Sequence, residues 1–86
     1  MSTQNEITVY GTAWCPDTHR ARRLLDGRQV PYRWVDIDQD KAGEKVVLEA
    51  NRGNRSIPTI IFADGSFLVE PSNEQLTAKL FTTRLE

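Results

Sequence analysis

The chain carries a single cysteine, Cys15, in the run "TAWCPDTHR" from Thr12 to Arg20. Pro16, directly after it, suits the first turn of a helix, where a missing N–H costs nothing. Cys15 is therefore expected where a loop leaving a strand becomes a helix. A sulfur placed there faces unpaired backbone N–H groups and the positive end of the helix dipole, and both favour the thiolate. The thiolate is the form that attacks a disulfide. Thr18, one turn further on, shares the helix face and can offer its hydroxyl to that anion. His19 and Arg20 add positive potential, and Asp17 subtracts from it. Trp14 flanks the sulfur and would shield a mixed disulfide formed there.

Each of these residues also has a plainer reading. A free cysteine is often no more than a small buried hydrophobe. A lone histidine on a helix surface is usually just solvated. Arg20, Arg22 and Arg23 read first as a solvated helix face and only second as a surface for an acidic partner, while Trp14 could belong partly to the core. One cysteine allows no internal disulfide, and with one histidine it cannot complete a four-ligand zinc site within a single chain. Metal chemistry would need a second chain or an outside ligand.

The surrounding pattern supplies the elements that hold this run. Ile7–Tyr10 ("ITVY") reads as a strand and Gly11–Trp14 as the loop after it. A helix follows from Pro16 to near Gly27, with Thr18, Ala21, Leu24 and Leu25 on one face. Tyr32–Ile37 reads as a second strand. Asp40–Asn51 reads as a second helix with Ala42, Val46, Val47 and Ala50 at helical spacing, stopped by Gly53-Asn54. Pro58–Ala63 is almost continuously apolar, as in a strand covered on both faces. Asp64-Gly65 predicts a hairpin, so Ser66–Glu70 returns antiparallel. Pro71-Ser72 breaks that strand, and Ser72 with Gln75 fits a capping box opening a last helix through about Leu85. The order β-α-β-α-β-β-α implies an α/β fold, a four-stranded mixed sheet with helices on both faces. Its first two strands should be parallel and joined by a right-handed crossover.

With 86 residues the chain makes one domain, 1–86. A hydrophobic fraction of 38%, a charged fraction of 27% and a net charge of -1 give no reason to expect wholesale binding to nucleic acid or acidic membranes. Met1–Glu6 is polar and lacks the apolar core of a signal peptide. The longest interior apolar run, Ile60–Ala63, is too short to cross a bilayer. These features point to a cytoplasmic protein with no membrane or nucleic-acid partner.

Three stretches, in the right order and at the right intervals, resemble the glutaredoxin branch of the thioredoxin superfamily. "WCPDT" (Trp14–Thr18) is similar to the W/Y-C-P-x-C active-site run. "NRSIPT" (Asn54–Thr59) resembles the T-V-P segment whose proline is cis in that family. "DGSFLVEPSNEQL" (Asp64–Leu76) looks like the closing hairpin and the polar start of the last helix. The wording "GNRSIPT…FADGS…PS" looks closest to the actinobacterial, mycothiol-linked mycoredoxin-like members. Two positions depart from the pattern. The second cysteine of the run is Thr18, so the site is monothiol in form, and Thr12 stands where many glutathione-using members have a lysine that meets a glutathione carboxylate. The run is also not the "CGFS" of the members that carry iron–sulfur clusters.

The resemblance implies a thioredoxin/glutaredoxin fold and a monothiol thiol–disulfide oxidoreductase. Its substrates would be mixed disulfides between proteins and a low-molecular-weight thiol, with mycothiol favoured over glutathione because of Thr12. Cys15 would be the nucleophile, supported by Trp14, Pro16 and Thr18. Thr12, Arg55, the backbone of Ile57 before a cis Pro58, and Ser72 and Asn73 at the last helix start would contact the small thiol. On the residues alone, Pro58 could simply begin a strand, and Ser72 and Asn73 could be helix caps only. No bound cofactor is implied: mycothiol or glutathione is a co-substrate, and S-thiolated proteins are the partners of a monomer. Two other functions fit the same residues. Two chains could hold an iron–sulfur cluster through their Cys15 thiolates and two small thiols, or a non-catalytic protein could use the groove for recognition.

Overall fold

In the computed structural model, which describes residues 6–84, the elements follow the expected order. They are β1 (Thr8–Gly11), α1 (Pro16–Gly27), β2 (Arg33–Asp36), α2 (Lys41–Ala50), β3 (Thr59–Ile61), β4 (Phe67–Val69) and α3 (Asn73–Arg84). The polar residues Met1–Asn5 and the expected helix end at Leu85 lie outside the described residues. The strands form one sheet in the order β2-β1-β3-β4. β1 and β2 are parallel, with Val9 opposite Trp34. A parallel pair needs a long crossover, which α1 supplies. β3 is antiparallel to β1, with Tyr10 opposite Thr59, and β4 is antiparallel to β3, with Ile60 opposite Leu68. The last pair needs only the Asp64-Gly65 turn, where Ser66 N–H donates to Asp64 Oδ1 at 2.9 Å and Phe62 N–H to the Ser66 carbonyl at 2.8 Å.

Alternation along β1 sends Val9 to one face of the sheet and Tyr10 to the other. On the Val9 face, Val9, Ile60, Leu25 of α1 and Leu76 of α3 are buried together with Ile7, Ala21, Phe62 and Leu80. Leu25 is fully buried, and truncating such a leucine to alanine costs about 2–5 kcal/mol. α1 and α3 therefore share that face and fix the start of α1 against the sheet.

α2 lies on the Tyr10 face through Gly43 and Val47. The helical spacing placed Ala42 inward, but Ala42 is exposed and Gly43 takes the inner position. A Cβ on Gly43 would stand 2.5 Å from Val35 Cγ1, so α2 comes this close to the sheet only with no side chain there. A pattern of apolar side chains cannot reveal a contact made by a residue that has none. Asp40 caps the helix, its Oδ1 accepting from Gly43 N–H at 2.9 Å.

Within the basic run on α1, Arg22 is not simply solvated. The Arg22 guanidinium sits 4.0 Å over the Trp34 ring and its Nε–H donates to the Tyr32 hydroxyl at 3.2 Å. Arg22 thus joins α1 to β2. Among the described residues no helix is long and apolar enough to cross a membrane.

Candidate active site

β1 ends at Gly11 and hands the chain to a loop whose last residue, Cys15, is the N-cap of α1. Its backbone is extended (φ -82, ψ 121), and Pro16 is the first helical residue. The Cys15 N–H donates to the Thr12 carbonyl at 3.5 Å, and the Cys15 carbonyl accepts from His19 N–H at 3.0 Å. The sulfur makes no capping hydrogen bond. Cys15 is 8% exposed, yet it stands outside the apolar cluster of Val9, Leu25, Ile60 and Leu76. It is buried at the N-cap of α1, outside that one cluster.

Thr18 is buried one turn below, and its Oγ1 has no hydrogen-bond partner. The hydroxyl bond to sulfur expected from helical spacing is therefore not made. The physical reason is the seat of the side chain: a Cβ on Gly11 would lie 2.5 Å from Thr18 Oγ1. Thr18 is pressed against bare backbone at the end of β1. Thr12 is also fully buried, with an unpartnered Oγ1. Its carbonyl serves Cys15, and no side-chain group of Thr12 reaches the solvent.

His19 is neither simply solvated nor aimed at a substrate. Its ring Nε2 faces the Ala13 carbonyl; against a carbonyl oxygen the nitrogen must be the donor, so His19 braces the loop that carries Cys15. Trp14 is 66% exposed and so not part of the core. Its indole Nε1–H donates to Asp38 Oδ2 at 2.9 Å. The other oxygen of Asp38 accepts from Arg55 Nη2 at 2.5 Å, and Arg55 Nε–H donates to Glu44 Oε2 at 2.7 Å.

One chain of contacts therefore links the Cys15 loop, the loop after β2, α2 and the segment before β3. The Arg55 guanidinium, with help from the Trp14 indole, holds the Asp38 carboxyl below the usual carboxylate range. Glu44 first, and Asp38 second, push Arg55 above its ordinary value. Sequence reading missed Asp38 and Glu44. The acidic run "DIDQD" (Asp36–Asp40) was visible, but no spacing rule connects it to positions 14 or 55.

The Ile57–Pro58 bond is cis, as the resemblance implies. With Tyr10 opposite Thr59, the β1–β3 register carries Pro58 to the end of the sheet where β1 gives way to the Cys15 loop. Glu70 N–H donates to the Pro58 carbonyl at 2.8 Å. The capping box is formed as expected: Ser72 N–H donates to Gln75 Oε1 at 2.9 Å and Gln75 N–H to Ser72 Oγ at 3.0 Å. Asn73 is exposed as the first residue of α3. Arg20 ties this segment to α1, bonding Asp17 at 2.8 Å and the Pro71 carbonyl at 3.3 Å. Cys15, Ile57-Pro58 and Ser72-Asn73 thus gather at one end of the sheet. Among the described residues no group of three or more His, Cys, Asp or Glu side chains is placed to hold a metal ion.

Comparison with known proteins agrees with this geometry. Residues 7–68 match the family model for glutaredoxin. A Mycobacterium tuberculosis protein itself assigned to the glutaredoxins is 40% identical over 74 residues, covering 86% of this chain and 88% of its own. Mycoredoxin 1 of Corynebacterium glutamicum is 34% identical over 76 residues, covering 88% of this chain and 94% of its own. Among solved structures, a variant of the thioredoxin-like protein BC3987 superposes with a TM-score of 0.76 at 27% identity, over 86% of this chain and 97% of that one.

Proposed function

This chain belongs to the glutaredoxin family of thioredoxin-fold redox proteins, and from that premise we propose that Cys15 alone carries out thiol–disulfide exchange with a low-molecular-weight thiol. The observation that carries the reading is the place of Cys15. It is the N-cap residue of α1, directly ahead of Pro16, with Thr18 where a dithiol member has its second sulfur.

The chemistry closes with one cysteine. The Cys15 thiolate attacks the small thiol's sulfur in a protein mixed disulfide. The protein leaves as its thiolate and Cys15 keeps the small thiol as a mixed disulfide. A second small thiol, as thiolate, then attacks the sulfur of that adduct. Cys15 is released, and the two small thiols depart as their disulfide, carrying the two electrons' worth of oxidation. Trp14 and the backbone at Ile57-Pro58 flank the adduct, and the start of α3 at Ser72-Asn73 closes the groove.

Mycothiol is the favoured co-substrate. Thr12 offers no cation where a glutathione carboxylate would need one, and the likeness to Mycoredoxin 1 supports the same choice. The protein acts as a monomer in the reducing cytoplasm on S-thiolated proteins. The test is to offer oxidised mycothiol and oxidised glutathione in turn and weigh the intact protein. A single adduct on Cys15 with the mass of mycothiol is expected, followed by turnover of a mycothiolated peptide. No adduct from either compound would refute the redox reading.

A further inference from the structure

The cations tied to the Cys15 loop and to the segment before α3 are already paired within this chain. The Arg55 guanidinium is shared between Asp38 and Glu44, so one positive charge meets two negative ones. Arg20 is paired with Asp17 and with the Pro71 carbonyl. At the start of α3, the N–H groups of Ser72 and Gln75 are taken by the capping box, and Glu74 adds a negative charge to the first turn. Thr12 supplies no charge at all.

Asp38 holds the indole of Trp14, the residue next to Cys15 in the chain. The cluster that neutralises Arg55 is therefore tied to the loop that carries Cys15.

We propose that Asp38 and Glu44 are specificity-determining residues that discharge Arg55 and leave this cluster negative, so that Cys15 exchanges with uncharged disulfides and disfavours carboxylate-bearing ones. The inference rests on the reading of Cys15 as an exchange nucleophile and adds the residues that select its partner. Glutathione carries two carboxylates. A sugar-linked N-acetylcysteine thiol carries none, and its hydroxyl groups need no cation. Like-charge repulsion in a partly screened cleft acts mainly on the rate of encounter.

The experiment follows a single attack by Cys15 and needs no turnover. Cys15 thiolate displaces one aryl thiolate from a symmetric disulfide probe and keeps the other half as a mixed disulfide. The probes are dithiobis(nitrobenzoate), which carries two carboxylates, and dithiodipyridine, which is neutral. Each rate is divided by that of a free cysteine peptide with the same probe. In the wild-type protein at low salt, the anionic probe should be slower than the neutral one by at least about three-fold after this correction. Raising salt to about 0.5 M should shrink the difference without any mutation. The double variant Asp38→Asn/Glu44→Gln should raise the anionic-to-neutral ratio by at least about three-fold, and adding Arg55→Gln should reverse most of that gain.

A ratio unchanged in the double variant overturns the assignment, as does a wild-type ratio equal to that of the peptide. The outcome is separable from the proposed activity. A protein that shows the expected ratios but does not turn over a thiolated peptide loses the catalytic reading and keeps the charge assignment. If Cys15 reacts with neither probe, both readings fall.

Discussion

Gly11 and Thr18 meet so closely that only one of them can carry a side chain: a Cβ on Gly11 would lie 2.5 Å from Thr18 Oγ1 and 2.6 Å from its Cγ2. Thr18 is buried and held on a helix, so it cannot swing aside. Gly11→Ala is expected to destabilise the fold by about 1–3 kcal/mol, the usual range for overpacking. Thr18→Ala removes the two closest atoms and leaves a Cβ contact of 3.1 Å, so the double variant should lose less than the sum of the two single losses. Denaturant unfolding of the four proteins measures this coupling, and strictly additive losses would show that the contact is not the cause.

The unpartnered hydroxyl of Thr18 leads to a second expectation. A buried polar group without a partner costs about 1–3 kcal/mol, and replacing it with an apolar group of the same shape removes that cost. Thr18→Val should therefore match or exceed the wild-type stability, by up to about 1 kcal/mol. A clear loss of stability in Thr18→Val would mean that the hydroxyl has a bonding partner in solution.

Much of this arrangement is legible in the sequence. The order of elements along the chain, the hairpin at Asp64-Gly65 and the Ser72–Gln75 capping box follow from local rules of period, turn chemistry and capping, and each is present. Cys15 at the helix start follows from Pro16 in the same way. What could not be read are contacts between residues distant in sequence. Asp38 meets Trp14 across 24 positions, and Arg55 meets Asp38 across 17. Exposed acidic and basic side chains have many partners within reach, and only the packed loops select one. Gly43 escaped for a different reason: its role is to be absent as a side chain. Thr18 was placed on the correct face, but the direction of its hydroxyl depended on Gly11, seven positions back.

The Trp14–Asp38 bond should report on pH. Arg55 and Trp14 hold the Asp38 carboxyl below the usual carboxylate range. The sign follows from linkage. A carboxyl depressed in the folded state gives its stabilisation fully above the unfolded value near 4, and loses it as pH falls through the folded value. The indole contact should thus persist through the ordinary carboxylate range and weaken only below it. In a Trp34→Phe background, so that Trp14 is the sole tryptophan, its fluorescence, excited selectively, should change in a step below about pH 4. Asp38→Asn keeps an oxygen acceptor but has no proton to gain, and should abolish the step. A step of equal size in Asp38→Asn would assign it to another group.

Thr18 also decides which disulfides the site can resolve. A mixed disulfide between Cys15 and a small thiol can be opened by a second small thiol from solution. One between Cys15 and a bulky protein is harder to reach, and the described site has no second sulfur to open it from within. Thr18→Cys restores that sulfur one turn from Cys15, on the same helix face. Cysteine lacks the branched methyl of threonine, so its sulfur has rotamers open to it that do not press on Gly11. An intramolecular attack replaces an encounter from solution, and the rate should gain accordingly. Reduction of a protein disulfide by Thr18→Cys is expected to exceed that of the wild type by at least about ten-fold. Oxidised Thr18→Cys should also lose two hydrogens by mass and no longer react with an alkylating agent at Cys15. If the variant forms that internal bond yet reduces protein disulfides no faster, resolution is not what limits the wild type, and the monothiol character of the site would have to be explained by access to Cys15 instead.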